Sequence, residues 1–206
     1  MTTIAILGSG AVARTLSGGL RRAGHELIVG SRAPRQNAAV PVIGLREAAG
    51  SAEVVINAMP GPVSVEVLTG LAAELAGKVL VDVANATESD ERGFASALLY
   101  PGGSLAEEIQ RALPEVRVVK TLNTMHESIM AQPDRPAQPP TAFLSGNDAD
   151  AKKAVGGLLA DLGWAAEWII DLGGVETARV PEAFMLMVGD LVRALGPVPF
   201  GMAIAR

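Results

Sequence analysis

The feature that most constrains this chain is the run Gly8-Ser9-Gly10-Ala11-Val12-Ala13, set directly behind an apolar segment. Residues 2–7 (Thr-Thr-Ile-Ala-Ile-Leu) are rich in β-formers and stop at Gly8, which predicts a buried parallel strand. Val12, Leu16 and Leu20 then recur at every fourth residue, the spacing of one helical stripe. Gly24 is placed to end that helix before residues 26–29 resume as strand. Within this complete β-α-β unit each small residue has its own task. Gly8 permits the tight turn, Gly10 lets backbone approach a pyrophosphate, and Ala13 keeps strand and helix close. The amides of the helix N-terminus then face the phosphates. An ordinary glycine-rich turn would not need the whole unit, so Gly8, Ser9, Gly10, Ala11 and Val12 are the first candidate cofactor contacts.

The rest of the chain extends the same pattern. Strands are predicted at 53–58, 78–83, 116–122, 141–145 and 165–170, with helices at 63–75, 105–113 and 149–162. Their alternation implies an α/β fold, a Rossmann-type doubly wound and mostly parallel sheet. Residues 87–103 read as a long ordered loop whose length alone draws attention. Four prolines in 132–140 (Pro133, Pro136, Pro139, Pro140) point to a surface connection or a domain linker. From 176 to 195 the chain reads as one long helix, more apolar than a one-sided stripe requires, followed by a short apolar end at 200–206. The expected division is a Rossmann domain, 1–172, and a small C-terminal helical extension, 173–206, that completes a substrate cleft.

Composition narrows the chemistry. A net charge of −5 opposes duplex-DNA binding, which needs a basic surface, so no nucleic-acid partner is expected. There is no cysteine, and the histidines are His25 and His126, which excludes thiolate metal sites, disulfides and cysteine nucleophiles. No uncharged apolar run reaches a membrane-spanning length and no cleavage pattern opens the chain; a cytoplasmic protein with no membrane partner is expected.

The end of the second strand separates two cofactors. NAD enzymes usually place an Asp or Glu there to hold the ribose hydroxyls, whereas this chain has Gly30-Ser31-Arg32. A carboxylate would repel a 2′-phosphate; a hydroxyl and a guanidinium can both donate to it, with Arg35 as a second cation. The pattern is that of NADP.

In an open α/β sheet the ligand lies beyond the carboxyl ends of the strands. Those ends carry Asn57-Ala58-Met59-Pro60-Gly61, Asp82-Val83-Ala84-Asn85, and Thr121-Leu122-Asn123-Thr124-Met125-His126. Any one Asn could merely tie down a loop; three strand ends converging on Asn is the stronger signal. His126 is the histidine near this end and could protonate or orient an acceptor. His25 lies at the opposite end and is expected to be structural.

With these segments in view, the chain resembles the F420-dependent NADP oxidoreductases over nearly its full length. The likeness runs through Gly8 to Ala13, Gly30-Ser31-Arg32, Val81 to Asn85, Val118 to Met125, Leu144 to Ala149 and Ile170 to Gly173. The resemblance implies a homodimer and hydride transfer between NADPH and the deazaflavin F420. It sets the nicotinamide near Ala58, Met59 and Pro60, with Asn85 nearby. The small-molecule hydride acceptor would stack in a cleft bordered by Asn123 to His126 and the C-terminal helix, which makes Asn123 and His126 the candidate catalytic residues. The anionic tail of F420 would call for a local cluster drawn from Lys120, Arg135, Arg179 or Arg193. Two alternatives remain open: an NADPH reductase of a flavin, ferric chelate or imine, and a non-catalytic NADP(H)-sensing module.

Overall fold

The computed structural model describes residues 1–35 and 39–205; Arg206, the end of the expected apolar tail, lies outside them. The elements follow in chain order: β1 (Thr3–Leu7), α1 (Ala11–Arg22), β2 (Glu26–Gly30), β3 (Val42–Ile43), α2 (Leu45–Ser51), β4 (Val54–Asn57), α3 (Gly61–Thr69), α4 (Ala72–Leu75) and β5 (Val79–Asp82). Then come β6 (Thr87–Ser89), β7 (Ala95–Leu98), α5 (Leu105–Ala112), β8 (Arg117–Lys120), α6 (Glu127–Met130), β9 (Ala142–Ser145) and α7 (Ala149–Asp161). The chain closes with β10 (Ile169–Gly173), α8 (Arg179–Ala183) and α9 (Met185–Leu195).

The main sheet has the order β10-β9-β8-β5-β4-β1-β2-β3. From β3 across to β8 every neighbouring pair is parallel. β9 meets β8 antiparallel through Lys120 and Ser145, and β10 runs parallel to β9. This is the doubly wound, mostly parallel sheet that the sequence predicts, with a reversed edge. β1 sits inside it, and the alternation of its side chains builds both cores. Ile4 and Ile6 join the apolar layer under α1 and α7, while Ala5 and Leu7 join the layer under α2, α3 and α5. Each fully buried Leu or Ile contributes roughly 1.5–3 kcal/mol. The chain leaves β1 for β2 on one side and crosses to β4 on the other, so the topological switch point lies between the C-terminal ends of β1 and β4.

Four expectations need correction. Residues 87–103 are not a plain loop, because β6 and β7 pair as an antiparallel hairpin. Its turn is closed by the Asp90 carboxylate, which accepts from the amides of Arg92 and Phe94. The helix expected over 63–75 is two helices, α3 and α4, parted at Gly70 and Leu71. The strand expected at 165–170 begins only at Ile169, after a single 3₁₀ turn at Ala166–Trp168.

The long C-terminal helix is likewise divided. A 3₁₀ turn spans Val175–Ala178, α8 starts at Arg179, and the chain turns at Phe184 into α9. Pro181 supplies the reason. A proline has no amide for an interior helical bond, and a start at Arg179 places it in the first turn, where none is needed. Beyond α9 the tail returns to the sheet: Phe200 O accepts from His126 N at 2.9 Å, and Met202 N donates to Thr124 O at 2.9 Å.

Candidate active site

At the switch point, Gly8 has φ +118°, and a Cβ there would stand 2.5 Å from the carbonyl oxygen of Ala58. The β1 and β4 ends therefore touch through bare backbone. Gly10, by contrast, caps α1, and a Cβ on it would meet nothing within 4 Å. Its backbone face is open to a ligand. The groove that begins here has a volume of about 840 Å³ and runs from Gly8-Ser9-Gly10 past Ser31 and Arg32 to Ala58, Met59 and Pro60. Ser31 Oγ accepts from Ala33 N at 3.1 Å, which leaves its hydroxyl hydrogen free to donate. Arg32 forms no ion pair among the described residues.

A second chamber of about 730 Å³ adjoins this groove, and Met59 and Pro60 line both. Its walls are mostly apolar, with Val12, Met125, Phe94, Phe184, Met185 and Phe200 among them. Phe94 comes from the β6–β7 hairpin and can approach because Gly189 of α9 has no side chain; a Cβ there would stand 3.1 Å from Phe94 Cβ. Asn85, Asn123, His126 and Glu127 supply the polar part of the lining.

Asn85 Nδ2 donates to Asn123 O at 3.0 Å, and Asn123 Nδ2 donates to Asn85 Oδ1 at 2.9 Å. The chain reaches this pairing through Leu122, whose φ of +59° is the positive one among the described non-glycine residues. A left-handed leucine costs about 1–2 kcal/mol. The buried Leu122 side chain and the Asn pair that follows hold it there.

His126 caps α6, its Nδ1 accepting from Ser128 N at 3.2 Å, while Nε2 lies 3.1 Å from Glu127 Oε2. The cap uses Nδ1 as an acceptor and leaves Nε2 facing the Glu127 carboxylate. His25 stands far from this end, with Nε2 3.0 Å from Asp161 Oδ2 at the start of β2, the structural role expected of it.

Beneath the strand ends lies a buried polar network that the sequence did not announce. Lys120 Nζ is 2.8 Å from Asp82 Oδ2 and 2.8 Å from Glu182 Oε1, and it also donates to Ala84 O. Asp82 Oδ1 accepts from Asn57 Nδ2 at 2.8 Å, and Asn57 Oδ1 accepts from Met59 N at 3.3 Å. Burial alone would push the Lys120 ammonium down; the Asp82 and Glu182 carboxylates outweigh it and hold the group above the ordinary lysine range.

Of the site residues expected from sequence, the structure brings Gly8, Ser9, Gly10, Ser31, Arg32, Ala58, Met59 and Pro60 to one groove. Val12, Asn85, Asn123 and His126 line the chamber. Ala11, the first residue of α1, lines neither. Arg35 lines a further cavity of about 360 Å³ on the α1 side, shared with Arg14 and Arg21, which meets the groove at Ser9.

The expected cation cluster does not form at the chamber. Lys120 is buried in its own network, Arg179 is bound to Glu107, Arg193 pairs with Asp190, and Arg135 does not line the chamber. Sequence reasoning also missed Phe94, Phe184 and Glu182. The hairpin turn Asp90-Glu91-Arg92-Gly93 was the one local signal available for the first.

Fold and site together define a Rossmann-type α/β protein whose switch-point groove opens, at one wall, into an apolar second chamber. Comparison with known proteins carries this further. The family model described as NADP oxidoreductase, coenzyme F420-dependent, matches residues 3–86. The F420-dependent NADP reductase of Methanocaldococcus jannaschii is 30% identical over 152 residues, covering 72% of this chain and 67% of that protein. This chain belongs to the F420-dependent NADP oxidoreductase family. A crystal structure from Arthrobacter sp. FB24, carrying a provisional assignment as an F420-dependent NADP reductase, is 40% identical with a TM-score of 0.91 and covers 100% of both chains. The metalloreductase STEAP3 of Rattus norvegicus is 31% identical over 188 residues, which are 89% of this chain but only 36% of STEAP3. No helix among the described residues is long and apolar enough to cross a membrane.

Proposed function

We propose that the protein transfers a hydride between NADPH and coenzyme F420. The observation that carries this reading is the shared wall: Met59 and Pro60 close the cofactor groove and open the apolar chamber. Hydride transfer needs donor and acceptor carbons about 3–3.5 Å apart, and one wall common to two sites is the arrangement that permits it. NADPH, when bound, supplies the hydride, so the chain itself is left with binding, orientation and exclusion of water.

The residues fit such a cofactor. The open face at Gly10 and the N-terminus of α1 suit the pyrophosphate. The Ser31 hydroxyl and the uncommitted Arg32 suit a 2′-phosphate. Phe94, Phe184 and Phe200 offer apolar faces to a planar ring and keep water from it. His126 stands at the chamber with Nε2 3.1 Å from Glu127 Oε2, a pair placed to handle the proton that accompanies the hydride. The reading includes a homodimer, supported by the exposed Leu186, Met187 and Leu195 of α9. It takes residues 173–206 as the extension that completes the acceptor cleft.

One observation favours a second reading, an NADPH reductase of a flavin or another acceptor without an anionic tail: no Lys or Arg lines the chamber among the described residues. The test is to incubate the protein with NADPH and F420, FMN, FAD or ferric chelates in turn, following NADPH absorbance and the deazaflavin band. F420 turnover upholds the first reading. FMN reduction without F420 turnover replaces it with the second, and tight NADPH binding with no turnover for any acceptor points to a sensing module.

A further inference from the structure

We infer that Lys120 is a positioning residue, whose buried ammonium joins the loop walling the nicotinamide end of the groove to the C-terminal segment walling the acceptor chamber. The kinetic part of its test rests on the hydride-transfer reading; the binding part rests on the NADPH site alone.

An ammonium has three N–H donors and no acceptor. Here each donor serves a different piece of chain: Asp82 at the end of β5, Ala84 O just before Asn85, and Glu182 in α8. The first arm continues through Asp82 and Asn57 to the amide of Met59, so two side chains separate Lys120 Nζ from the wall shared by groove and chamber. The second arm ends beside Asn85, whose side chain is locked to Asn123. The third reaches Glu182, two residues before Phe184 and three before Met185, both in the chamber wall. Glu182 Oε2 also accepts from Leu105 N at 2.9 Å, which fixes α8 against the start of α5.

Stability alone does not account for this arrangement. A buried ionic triad is often matched or bettered by apolar side chains of the same volume. What apolar packing cannot do is hold three oxygen acceptors at hydrogen-bond distance from one point. That matters where a displacement of about 1 Å can reduce a rate by about 100-fold. The phosphate end of the proposed cofactor site, Gly8 to Gly10 with Ser31 and Arg32, has no bond to the network among the described residues.

Three variants test this: Lys120→Arg, which keeps the charge but changes its geometry; Glu182→Gln, which keeps the shape but removes one charge; and Asn57→Ser, which cuts the first arm beyond Asp82. For each, four quantities are measured: melting temperature, NADPH affinity, the fluorescence of the bound nicotinamide, and kcat with its isotope effect from NADPH deuterated at the transferred position. Folded variants are expected to bind NADPH within about threefold of wild type, with altered nicotinamide emission. Their kcat should fall by about tenfold or more, with a larger isotope effect. Unchanged emission and unchanged kcat per folded molecule would overturn the inference, because a purely structural lysine changes only the folded fraction. If Lys120→Arg does not fold, Asn57→Ser decides, since it leaves both carboxylates on the ammonium. If the wild type does not oxidise NADPH in the presence of any acceptor offered, the hydride-transfer reading fails, and the emission comparison still decides the role of Lys120.

Discussion

Asn85 and Asn123 hold each other in the chamber wall by two reciprocal bonds, side chain to backbone at 3.0 Å and side chain to side chain at 2.9 Å. They stand 38 residues apart in the chain, at the ends of neighbouring strands β5 and β8. The pairing gives Asn123 a task other than contact with the substrate: it sets the spacing of two loops. Truncating Asn123 leaves Asn85 Oδ1 without its donor, at about 1–3 kcal/mol, while Asn85 Nδ2 keeps the Asn123 carbonyl. Asn123→Ala should therefore lower the melting temperature by roughly 2–10 °C in a chain of this size and reduce kcat by about tenfold. Calorimetry and steady-state rates check both, and Asn123→Asp, which sets a buried carboxylate against the Asn85 Oδ1 acceptor, should be at least as damaging.

Arg32 lines the groove beside Ser31 without an ion-pair partner among the described residues. A charge-assisted bond to phosphate contributes roughly 1.5–3 kcal/mol, so Arg32→Ala should weaken NADPH by about 10- to 100-fold and leave NADH within about threefold. Titration with both cofactors tests it; equal weakening would remove the 2′-phosphate assignment. Arg35 lines the α1-side cavity, which meets the groove only at Ser9, so Arg35→Ala should have the smaller effect.

The parts of this molecule that were legible in the sequence are those written in neighbouring residues. The Gly8 to Ala13 turn, the continuous burial of β1 and the Ser31-Arg32 turn are each decided within one β-α-β unit. The parts that were not legible depend on contacts across the fold. Glu182 meets the amide of Leu105 from 77 positions away, and Arg179 meets Glu107 from 72, so neither spacing carries a periodic signal. Lys120 read as a strand-end cation available to an anionic tail, and only packing shows that two carboxylates enclose it. The hairpin escaped because β6 and β7 span only three and four residues, too few for alternation to emerge.

Two glycines of the site should respond to alanine in opposite ways. A Cβ on Gly61 would collide with the carbonyl of Asn85, so α3 and the loop after β5 can meet only through bare backbone. Gly61→Ala must separate the walls that carry Pro60 and Asn85. An overpacking cost of about 1–3 kcal/mol and a fall in kcat toward 100-fold are expected, with a smaller change in NADPH affinity. Gly10→Ala meets nothing in the protein and its φ of −76° suits alanine, so the melting temperature should hold. The new methyl would instead occupy the approach of the pyrophosphate and weaken NADPH. Loss of stability in Gly10→Ala, or unaltered NADPH binding, would contradict the groove assignment.

Acid should loosen the chamber through one carboxylate in particular. Two hydrogen bonds from Arg179, Nε to Oε2 at 2.9 Å and Nη2 to Oε1 at 2.6 Å, hold Glu107 below the usual glutamate range, with a further bond from Ser104. A depressed pKa in the folded state contributes stability that is fully present above the unfolded value of about 4.3. That contribution is lost as pH falls through the folded value. The pair ties α5 to the first residue of α8, hence to the segment that delivers Glu182 and Phe184. Glu107→Gln should therefore melt below wild type at neutral pH, and the gap should close as both are acidified past about pH 4. The gap itself should be a few degrees at most, because Arg179 is half exposed and water screens the pair. Melting curves of the two proteins from neutral pH to pH 3 decide the matter, and a gap that stays constant across that range would show that the Glu107 charge does not act through Arg179.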